Sequence, residues 1–304
     1  MVEIPAAFAA RIERAVGPAG TAWLAELPGR FAAMIERWGL KVEGAPRHGA
    51  MSLVLPVSRG GELFALKVAW LNETTTDEAA ALRWWDGRGT VRLIDSLPEE
   101  GVLLLKRLDP DRTLASAGLD EAATVTGELI RLLAISVGPP MRTFSTEISG
   151  ILECIEFRWM AQGTPFDRGT LDRVLAIARS LPTDADHHMV NRDLWDDNVL
   201  AATRRPWLVI DPQPIAGPPE YAVAPSLLRR LDQMADPDDL DRFVARVCRA
   251  GALDRELAIA GAVVRIADYW LWALETGLTD DPKRCGRMLG WLTRSVNGRF
   301  ADLP

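Results

Sequence analysis

The chain has 304 residues, of which 48% are hydrophobic and 25% are charged. These proportions are ordinary for a globular protein, and the length allows one large domain or two smaller ones. No apolar run approaches the roughly 20 residues of a membrane helix, and residues 1–5 lack the start of a secretory signal. Three widely separated cysteines suggest neither a disulfide framework nor a zinc site. We therefore expect a cytoplasmic protein without a membrane partner.

The net charge of -7 is distributed unevenly along the chain. Residues 1–108 carry 13 acidic and 13 basic side chains, whereas residues 109–304 carry 29 acidic and 22 basic ones. An acidic second half disfavours nucleic acid as a partner and mildly favours a cationic or metal-bound ligand. A solvated acidic surface would explain the same excess.

The first third of the chain predicts two helices followed by a β-rich region. Residues 5–16 and 21–38 have amphipathic helical patterns, and Pro28 is expected to break the second helix. A third helix is predicted over residues 77–85. Four strands are predicted from short apolar runs: residues 51–57, 63–70, 91–94 and 102–105. The turn Ser58-Arg59-Gly60-Gly61 makes the first two strands a hairpin.

After residue 109 the pattern is mainly helical, with one hairpin embedded in it. The hairpin is predicted from two apolar runs, Val199 to Ala201 and Trp207 to Ile210. Helices are predicted at residues 119–137, 143–161, 168–181, 221–234, 237–250, 254–276 and 282–294. We expect an α+β protein with a β-rich unit over 1–107, a helical unit over 108–304 and a ligand site between them.

The strongest chemical signal is the segment Asp193-Leu194-Trp195-Asp196-Asp197-Asn198, followed thirteen residues later by Asp211. Phosphoryl transfer needs a carboxylate that positions the acceptor and oxygen ligands that hold Mg²⁺ against the phosphates. Asp193 would orient the acceptor hydroxyl, while Asn198 and Asp211 would bind the metal. Asp and Asn are common in turns, so the spacing is convincing only together with the apolar run that ends at Asp211.

Lys67 is the second signal, because it is one of only four lysines and lies inside an apolar strand. Alternation along this strand places its side chain on the same face as Ala65 and Ala69. A buried cation needs a partner, and Glu78 on the following helix or a phosphate group would serve. The alternative to a buried, paired Lys67 is a lysine on the solvent-exposed face of a half-exposed strand.

Lys67, Glu78, the D-x-x-x-x-N loop and Asp211 together resemble the protein-kinase-like fold. The chain resembles more closely the aminoglycoside and hydroxyurea phosphotransferases, which include streptomycin kinases. The stretches that carry this resemblance lie in order between about residues 47 and 230: Met51 to Val57, Leu66 to Val68, Glu78 to Gly87, Leu103 to Leu108, and Asn198 to Pro214.

The resemblance implies a two-lobed enzyme that uses ATP and Mg²⁺ to phosphorylate a small molecule. Lys67 would contact the α- and β-phosphates and pair with Glu78, and Ser52 would lie in the nucleotide loop over 48–52. The backbone from Leu105 through Arg107 to Leu108 would hold the adenine edge. Asp193 would be the catalytic carboxylate, with Asn198 and Asp211 on Mg²⁺. The acceptor would be a hydroxyl of an aminoglycoside-like molecule or amino sugar, and no protein partner is implied.

Two departures from the family pattern affect the loop before Asp193. Asn191-Arg192 stands where these kinases usually have His-Gly, and Pro218 stands where an aspartate usually helps support the catalytic loop. We hypothesise that Glu220 takes over this support by pairing with Arg192 or the loop backbone.

Three functional readings follow from these residues. The first is a small-molecule kinase whose acceptor carries at least one amine, because Asp196 and Asp197 lie inside the catalytic loop. The others are a kinase for another small metabolite and a nucleotide-binding regulatory protein that has lost its chemistry. Trp195 is a candidate for lining the acceptor pocket. The segment 268–275 is either an ordinary helix interior or an aromatic and acidic wall of that pocket.

Overall fold

A computed structural model describes residues 2–73, 75–138, 141–296, 298–301 and 303 of the chain. The chain divides into two compact units, Met1–Asp109 and Pro110–Pro304. This division lies two residues after the boundary predicted at residue 107. Both units contain helices and β-strands, as the predicted α+β class requires.

The first unit packs two N-terminal helices on one antiparallel sheet. Its elements are α1 (Ala6–Val16), α2 (Pro18–Arg37), β1 (Lys41–Val42), β2 (Arg47–His48), β3 (Ser52–Arg59), β4 (Glu62–Ala69), α3 (Glu78–Trp85), β5 (Leu93–Leu97) and β6 (Val102–Lys106). The strand order is β1-β3-β4-β6-β5, and β2 also pairs with β3. Leu27 and Phe31 of α2 share a core with Leu53, Leu55 and Leu66 of the sheet.

The β3–β4 hairpin confirms the turn predicted from its glycines. Arg59 pairs with Glu62, so only two residues connect the strands. Both of them, Gly60 and Gly61, have positive φ angles of 59° and 84°. A two-residue turn with positive φ at both positions matches the twist of the strands, and glycine adopts it without steric cost.

The predicted break of α2 at Pro28 is wrong, because the helix runs without interruption from Pro18 to Arg37. A proline inside a helix removes one backbone hydrogen bond and crowds the preceding turn. Trp23, Leu24, Leu27 and Phe31 are all buried on the same helix. Burial of these large side chains offsets the local cost of the proline.

The second unit contains seven α-helices and six short strands within its described part, and the first of these strands begins at the last residue of the first unit. They are β7 (Asp109–Thr113), α4 (Leu119–Leu133), β8 (Ile135–Ser136), α5 (Phe144–Ala161), α6 (Arg168–Ser180), β9 (His188–Asn191), β10 (Val199–Ala201), β11 (Trp207–Val209), β12 (Pro214–Ala216), α7 (Ala224–Arg230), α8 (Pro237–Gly251), α9 (Arg255–Glu275) and α10 (Asp281–Ser295). The strands form two three-stranded sheets, β11-β10-β7 and β12-β9-β8. The predicted β10–β11 hairpin is confirmed, whereas β7, β8, β9 and β12 were not predicted.

Helix α9 is the centre of the second unit. Twelve of its residues are buried, among them Ala260, Val263, Val264 and Ala267. Within the described part of the chain, it is the one helix long and apolar enough to cross a membrane. However, 67% of its most apolar window is buried inside the protein. Its apolar character is therefore accounted for by packing against the other helices.

Candidate active site

Lys67 and Glu78 form a buried ion pair in the first unit. Lys67 lies in β4, between β3 and β6, and Glu78 is the first residue of α3. The Lys67 Nζ donates a hydrogen bond to Glu78 Oε2 over 2.6 Å, and the two residues are only 3% and 2% exposed. The predicted pairing is therefore confirmed. Since a lone buried ammonium is strongly unfavourable, Glu78 fixes both the charge and the position of Lys67.

The other nucleotide-site candidates of the first unit occupy the same sheet. Ser52 is buried at the start of β3 opposite Ala69, and its carbonyl accepts a hydrogen bond from the Gly49 N–H. Leu105 is buried in β6, and Arg107 follows that strand. The N–H groups of Lys106 and Arg107 donate to carbonyls of the neighbouring chain segments. These two N–H groups are therefore already bonded. An adenine at this strand would have to bind other backbone N–H or carbonyl groups of residues 105–108.

The second group of candidates lies in the second unit, on the loop after β9 and the hairpin that follows it. A single 3-10 turn over Asp196–Asn198 leads into β10. The Ile210 N–H donates to the Asn198 carbonyl over 2.8 Å. The cross-strand partners Val199 and Val209 come next in the hairpin. This pairing brings Asn198 and Asp211 to the same end of the hairpin.

Asp193 is held by neutral donors on both carboxylate oxygens. The Trp195 Nε1 donates to Asp193 Oδ1 over 2.8 Å, and the Gln213 Nε2 donates to Oδ2 over 3.0 Å. Burial raises the pKa of Asp193, and the like charge of Asp211 adds to the increase, whereas Arg265 and the Trp195 bond lower it. Two fixed bonds leave the carboxylate in one orientation with lone pairs available for a further donor.

The Asn191 side chain ties the loop to the strand after Asp211. Its Oδ1 accepts hydrogen bonds from the backbone N–H groups of Asp193, over 3.1 Å, and Gln213, over 2.9 Å. Asn191 is buried, and its one amide oxygen satisfies both of these backbone donors. Asn191 thus connects the segment that carries Asp193 with the segment that carries Asp211, a role that the sequence prediction did not assign.

The hypothesis that Glu220 supports the catalytic loop is wrong. The Glu220 Oε1 accepts a hydrogen bond from the Asp254 backbone N–H, ahead of α9. Arg192 instead donates from Nη1 to Glu147 Oε2 over 2.7 Å and from Nη2 to Gln213 Oε1 over 3.2 Å. Glu147 lies in α5, 45 residues before Arg192. That separation explains why the nearest carboxylate along the chain was the wrong choice.

The prediction of a cationic acceptor used Asp196 as a negative charge available to the acceptor, and the structure contradicts that use. It is buried and accepts a hydrogen bond from Nε of Arg230, which is fully buried as well. Arg230 additionally donates to the backbone carbonyls of Leu114 and Ala117. Asp196 therefore anchors the loop to the segment before α4. Arg230 balances the negative charge of Asp196. Asp197, by contrast, is exposed and pairs with Arg229 over 2.8 Å.

An open cavity of about 220 Å³ is lined by Leu228 and by aromatic and charged side chains: Trp195, Asp197, Arg229, Tyr269, Asp281 and Arg284. Trp195 connects this cavity to Asp193, because it lines the cavity and also donates to the Asp193 carboxylate. The segment 268–275 contributes one side chain to this cavity, and its predicted role toward an acceptor stays a prediction. Tyr269 lines the cavity and donates to Asp281, whereas Asp268 and Glu275 bind Arg158.

The residues at the end of the hairpin fit a magnesium ion. Asn198 and Asp211 offer one amide oxygen and one carboxylate, and Mg²⁺ usually takes one or two such ligands and completes its shell with phosphates and water. Asp211 has a φ of 49°, a left-handed conformation that costs about 1 kcal/mol and recurs at functional sites. Among the described residues, no cluster of three or more His, Cys, Asp or Glu could hold a metal alone.

Solved structures with the same fold include small-molecule kinases. A crystal structure of aminoglycoside phosphotransferase APH(4)-Ia with AMP-PNP and hygromycin B superposes with a TM-score of 0.62 at 19% identity, covering 88% of this chain and 99% of that chain. Choline kinase LicA from Streptococcus pneumoniae gives a TM-score of 0.63 at 14% identity, with coverages of 88% and 99%. The predicted protein-kinase-like fold is confirmed.

The sequence matches define the family. The model for aminoglycoside/hydroxyurea antibiotic resistance kinases matches residues 37–277. The streptomycin 6-kinase of Streptomyces glaucescens is 37% identical over 284 residues, which cover 91% of this chain and 92% of that protein. The hydroxyurea phosphotransferase of Kitasatospora aureofaciens is 36% identical over 291 residues, with coverages of 93% and 84%.

The chain belongs to the aminoglycoside/hydroxyurea antibiotic resistance kinase family. The predicted resemblance is therefore confirmed, and so is the predicted class of enzyme, a phosphotransferase with an alcohol group as acceptor. The reading as a regulatory protein without chemistry is not the one that these relatives favour.

Proposed function

We propose that this protein transfers the γ-phosphate of ATP, with Mg²⁺, to a hydroxyl group of an aminoglycoside-like acceptor. The observation that carries the proposal is the Asp193 carboxylate, fixed by Trp195 and Gln213 beside a cavity that Trp195 also lines. A carboxylate so placed can accept the proton of a hydroxyl bound in the cavity and orient its oxygen for attack.

The remaining predicted residues have distinct tasks in this proposal. Lys67 would bind the α- and β-phosphates while Glu78 holds its ammonium in place. Ser52 would contribute to the nucleotide loop, and the backbone near Leu105 and Arg107 would meet the adenine. Asn198 and Asp211 would hold Mg²⁺, which when bound neutralises charge on the phosphates. The use of ATP fits the cytoplasmic location expected from the sequence.

The aminoglycoside class is supported by the relatives and by the aromatic wall of the cavity. Two relatives, at 37% and 35% identity, are streptomycin 6-kinases, and the APH(4)-Ia structure holds an ATP analogue together with hygromycin B. Trp195 and Tyr269 have ring centroids 5.8 Å apart with their planes inclined by 51°, and each offers an apolar ring to a sugar. Asp197 and Asp281 at the cavity wall could each accept hydrogen bonds from an acceptor amine.

A second acceptor class, a small neutral molecule such as hydroxyurea, is favoured by the charge balance of the same cavity. Asp197 is paired with Arg229 over 2.8 Å, and Asp281 lies 3.5 Å from Arg284. Two guanidinium groups at the wall oppose a polycation by like-charge repulsion. One relative is a hydroxyurea phosphotransferase. A cationic acceptor should bind more weakly as salt rises, whereas a neutral one should not.

The experiment is an assay of phosphate transfer from ATP to streptomycin, hygromycin B and hydroxyurea, with and without Mg²⁺. Transfer to at least one acceptor is expected, and it should cease when the metal is chelated. Asp193→Asn should lower kcat about 100-fold or more while the KM for ATP changes little, because a proton acceptor contributes about that factor.

The control is Asp184→Asn, which removes an exposed carboxylate of the same unit and should leave kcat unchanged. Asp193 would lose its proposed role if Asp193→Asn kept more than about a tenth of wild-type turnover. A wild-type protein that phosphorylates none of the three acceptors would contradict the proposed acceptor classes.

A further inference from the structure

Glu147 is a buried carboxylate at the centre of a network that reaches the catalytic loop. It lies in α5 and is only 4% exposed. Its Oε2 accepts from Arg192 over 2.7 Å and lies 3.4 Å from Arg142 Nε, whereas its Oε1 accepts from Tyr221 over 2.7 Å and from Arg265 over 3.0 Å. One carboxylate therefore joins the catalytic loop, the 3-10 turn before α7, and α9.

Without the Glu147 carboxylate, the arginines of this network would repel one another and lack their shared counter-charge. Arg192 and Arg265 bind the two oxygens of the same Glu147 carboxylate, so their like charges lie close together. Burial and Arg265 both lower the pKa of Arg192. Arg265 lies one turn before Tyr269 on α9, and the Tyr269 ring is 5.8 Å from the ring of Trp195, which donates to Asp193. Glu147 thus balances two cations, the buried Arg192 in the loop beside Asp193 and the partly buried Arg265 on the face of α9 that carries Tyr269.

The pKa of Glu147 is consistent with its role as the counter-charge of these arginines. Burial alone would raise the pKa of Glu147, but Arg265 and Arg192, with the Tyr221 hydrogen bond and Arg142, hold it below its usual range. The carboxylate therefore stays ionised at neutral pH. A charge-assisted hydrogen bond from Arg192 is stronger and more directional than a neutral one.

We propose that Glu147 is a positioning residue for phosphoryl transfer, which it serves by holding Arg192 and by keeping Arg265 from pairing with Asp193. The inference rests on the proposed role of Asp193 as the carboxylate that accepts the hydroxyl proton. The Asp193 oxygens accept from Trp195 and Gln213, both neutral donors. A direct guanidinium partner would stabilise the ionised form and make Asp193 a weaker proton acceptor.

The central test compares Glu147→Gln with the double variant Glu147→Gln/Arg265→Met. Loss of the negative charge should lower kcat by about 30-fold or more, while the KM values for ATP and for the acceptor stay within about threefold, because the substrates do not bind Glu147. Removing Arg265 as well should restore at least about tenfold of the lost kcat, because Asp193 is then no longer paired. Glu147→Asp should be intermediate.

Arg158→Gln is the matched control. Arg158 lies on the same helix and binds Asp268 and Glu275, so its loss should lower the melting temperature without a selective loss of kcat. Tyr221→Phe removes a neutral bond to the same carboxylate and should have a small effect on kcat. If Glu147→Gln does not fold, Arg192→Met breaks the same link from the loop side, and a fall in kcat of about tenfold is expected.

Two outcomes would overturn the inference. One is a Glu147→Gln enzyme with wild-type kcat, or an Arg192→Met enzyme with wild-type kcat where only that variant folds. The other is a fall in kcat that merely follows the melting temperature and equals that of Arg158→Gln, with no recovery in the double variant. These outcomes differ from failure of the proposed function, in which the wild-type protein itself would transfer no phosphate.

Discussion

Lys67 has two candidate counter-charges, the Glu78 carboxylate and a phosphate of the nucleotide, and only the first is seen directly. Both residues are almost fully buried, so removal of either partner changes stability as well as any ligand binding. Variants that separate the two effects must therefore neutralise both charges together.

Lys67→Met leaves the Glu78 carboxylate buried with its cation removed, which should lower the free energy of unfolding by about 3–5 kcal/mol. Lys67→Met/Glu78→Gln removes both charges and should recover most of that loss. The KM for ATP should rise about tenfold or more in both variants, because neither has an ammonium for the phosphates. Urea unfolding and steady-state kinetics measure the two quantities.

Lys41→Met is the control for this experiment, because Lys41 is an exposed lysine in the same unit whose ammonium lies 3.6 Å from Glu43. It should change neither quantity appreciably, since exposed pairs contribute about 0–1 kcal/mol. If the double variant regained both stability and wild-type affinity for ATP, Lys67 would have a structural role only.

The residues predicted from the sequence are those whose partners are near in the chain. Lys67 and Glu78 are 11 residues apart, and Asn198 and Asp211 flank one hairpin. Glu147 was missed because its contacts with Arg192 and Arg265 span 45 and 118 residues. No local pattern in α5 distinguishes Glu147 from an exposed helical glutamate, so only the tertiary structure identifies it.

At the scale of elements, long amphipathic segments were predicted and short buried strands were not. The helices α5, α6, α8, α9 and α10 lie within one or two residues of their predicted bounds. By contrast, β9 and β12 have four and three residues, too few to show an alternating pattern. Helix α4 was predicted to continue to residue 137 but ends at Leu133, where β8 pairs with β9.

The packing of α4 against α8 in the second unit depends on Gly127 of α4. A methyl group at this position would overlap the Val247 carbonyl of α8 and approach the Ala250 Cβ to 2.8 Å. Gly127→Ala should therefore lower the free energy of unfolding by about 1–3 kcal/mol through overpacking, despite the better helix propensity of alanine. Thermal or urea unfolding measures this directly.

Gly150 of α5 provides the opposite case on a comparable helix. It is exposed, and a Cβ at this position would meet no heavy atom within 4 Å. Gly150→Ala should raise the free energy of unfolding by about 0.5–1 kcal/mol. Equal effects of the two substitutions would show that the close α4–α8 approach does not depend on glycine.

For the molecule as a whole, the carboxylates divide into two groups with opposite effects on acid stability. Arginine pairs and backbone donors lower the pKa of several, among them Glu147, Asp232 and Asp239. Burial raises the pKa of Asp193 and Asp196 in the catalytic loop. As pH falls, the protein loses the stability that the first group contributes. The carboxyl groups of the second group bind protons more readily in the folded state, which partly offsets that loss.

Glu147 should contribute to the acid sensitivity, because its pKa is lowered and the carboxyl group is buried, where solvent screens its partners little. A carboxyl group with a lowered folded pKa stabilises the protein fully above its unfolded pKa of about 4.3, and the stability is lost as pH falls through the folded value. Urea unfolding at a series of pH values between about 5 and 3 should therefore show a shallower loss of stability for Glu147→Gln than for the wild type.

The comparison uses the slope of the free energy of unfolding against pH, since the Glu147→Gln variant also has a lower stability at neutral pH. Arg158→Gln should keep the wild-type slope, because it leaves Glu147 in place. Parallel curves for wild type and Glu147→Gln would show that the pKa of Glu147 is the same in the folded and unfolded chains.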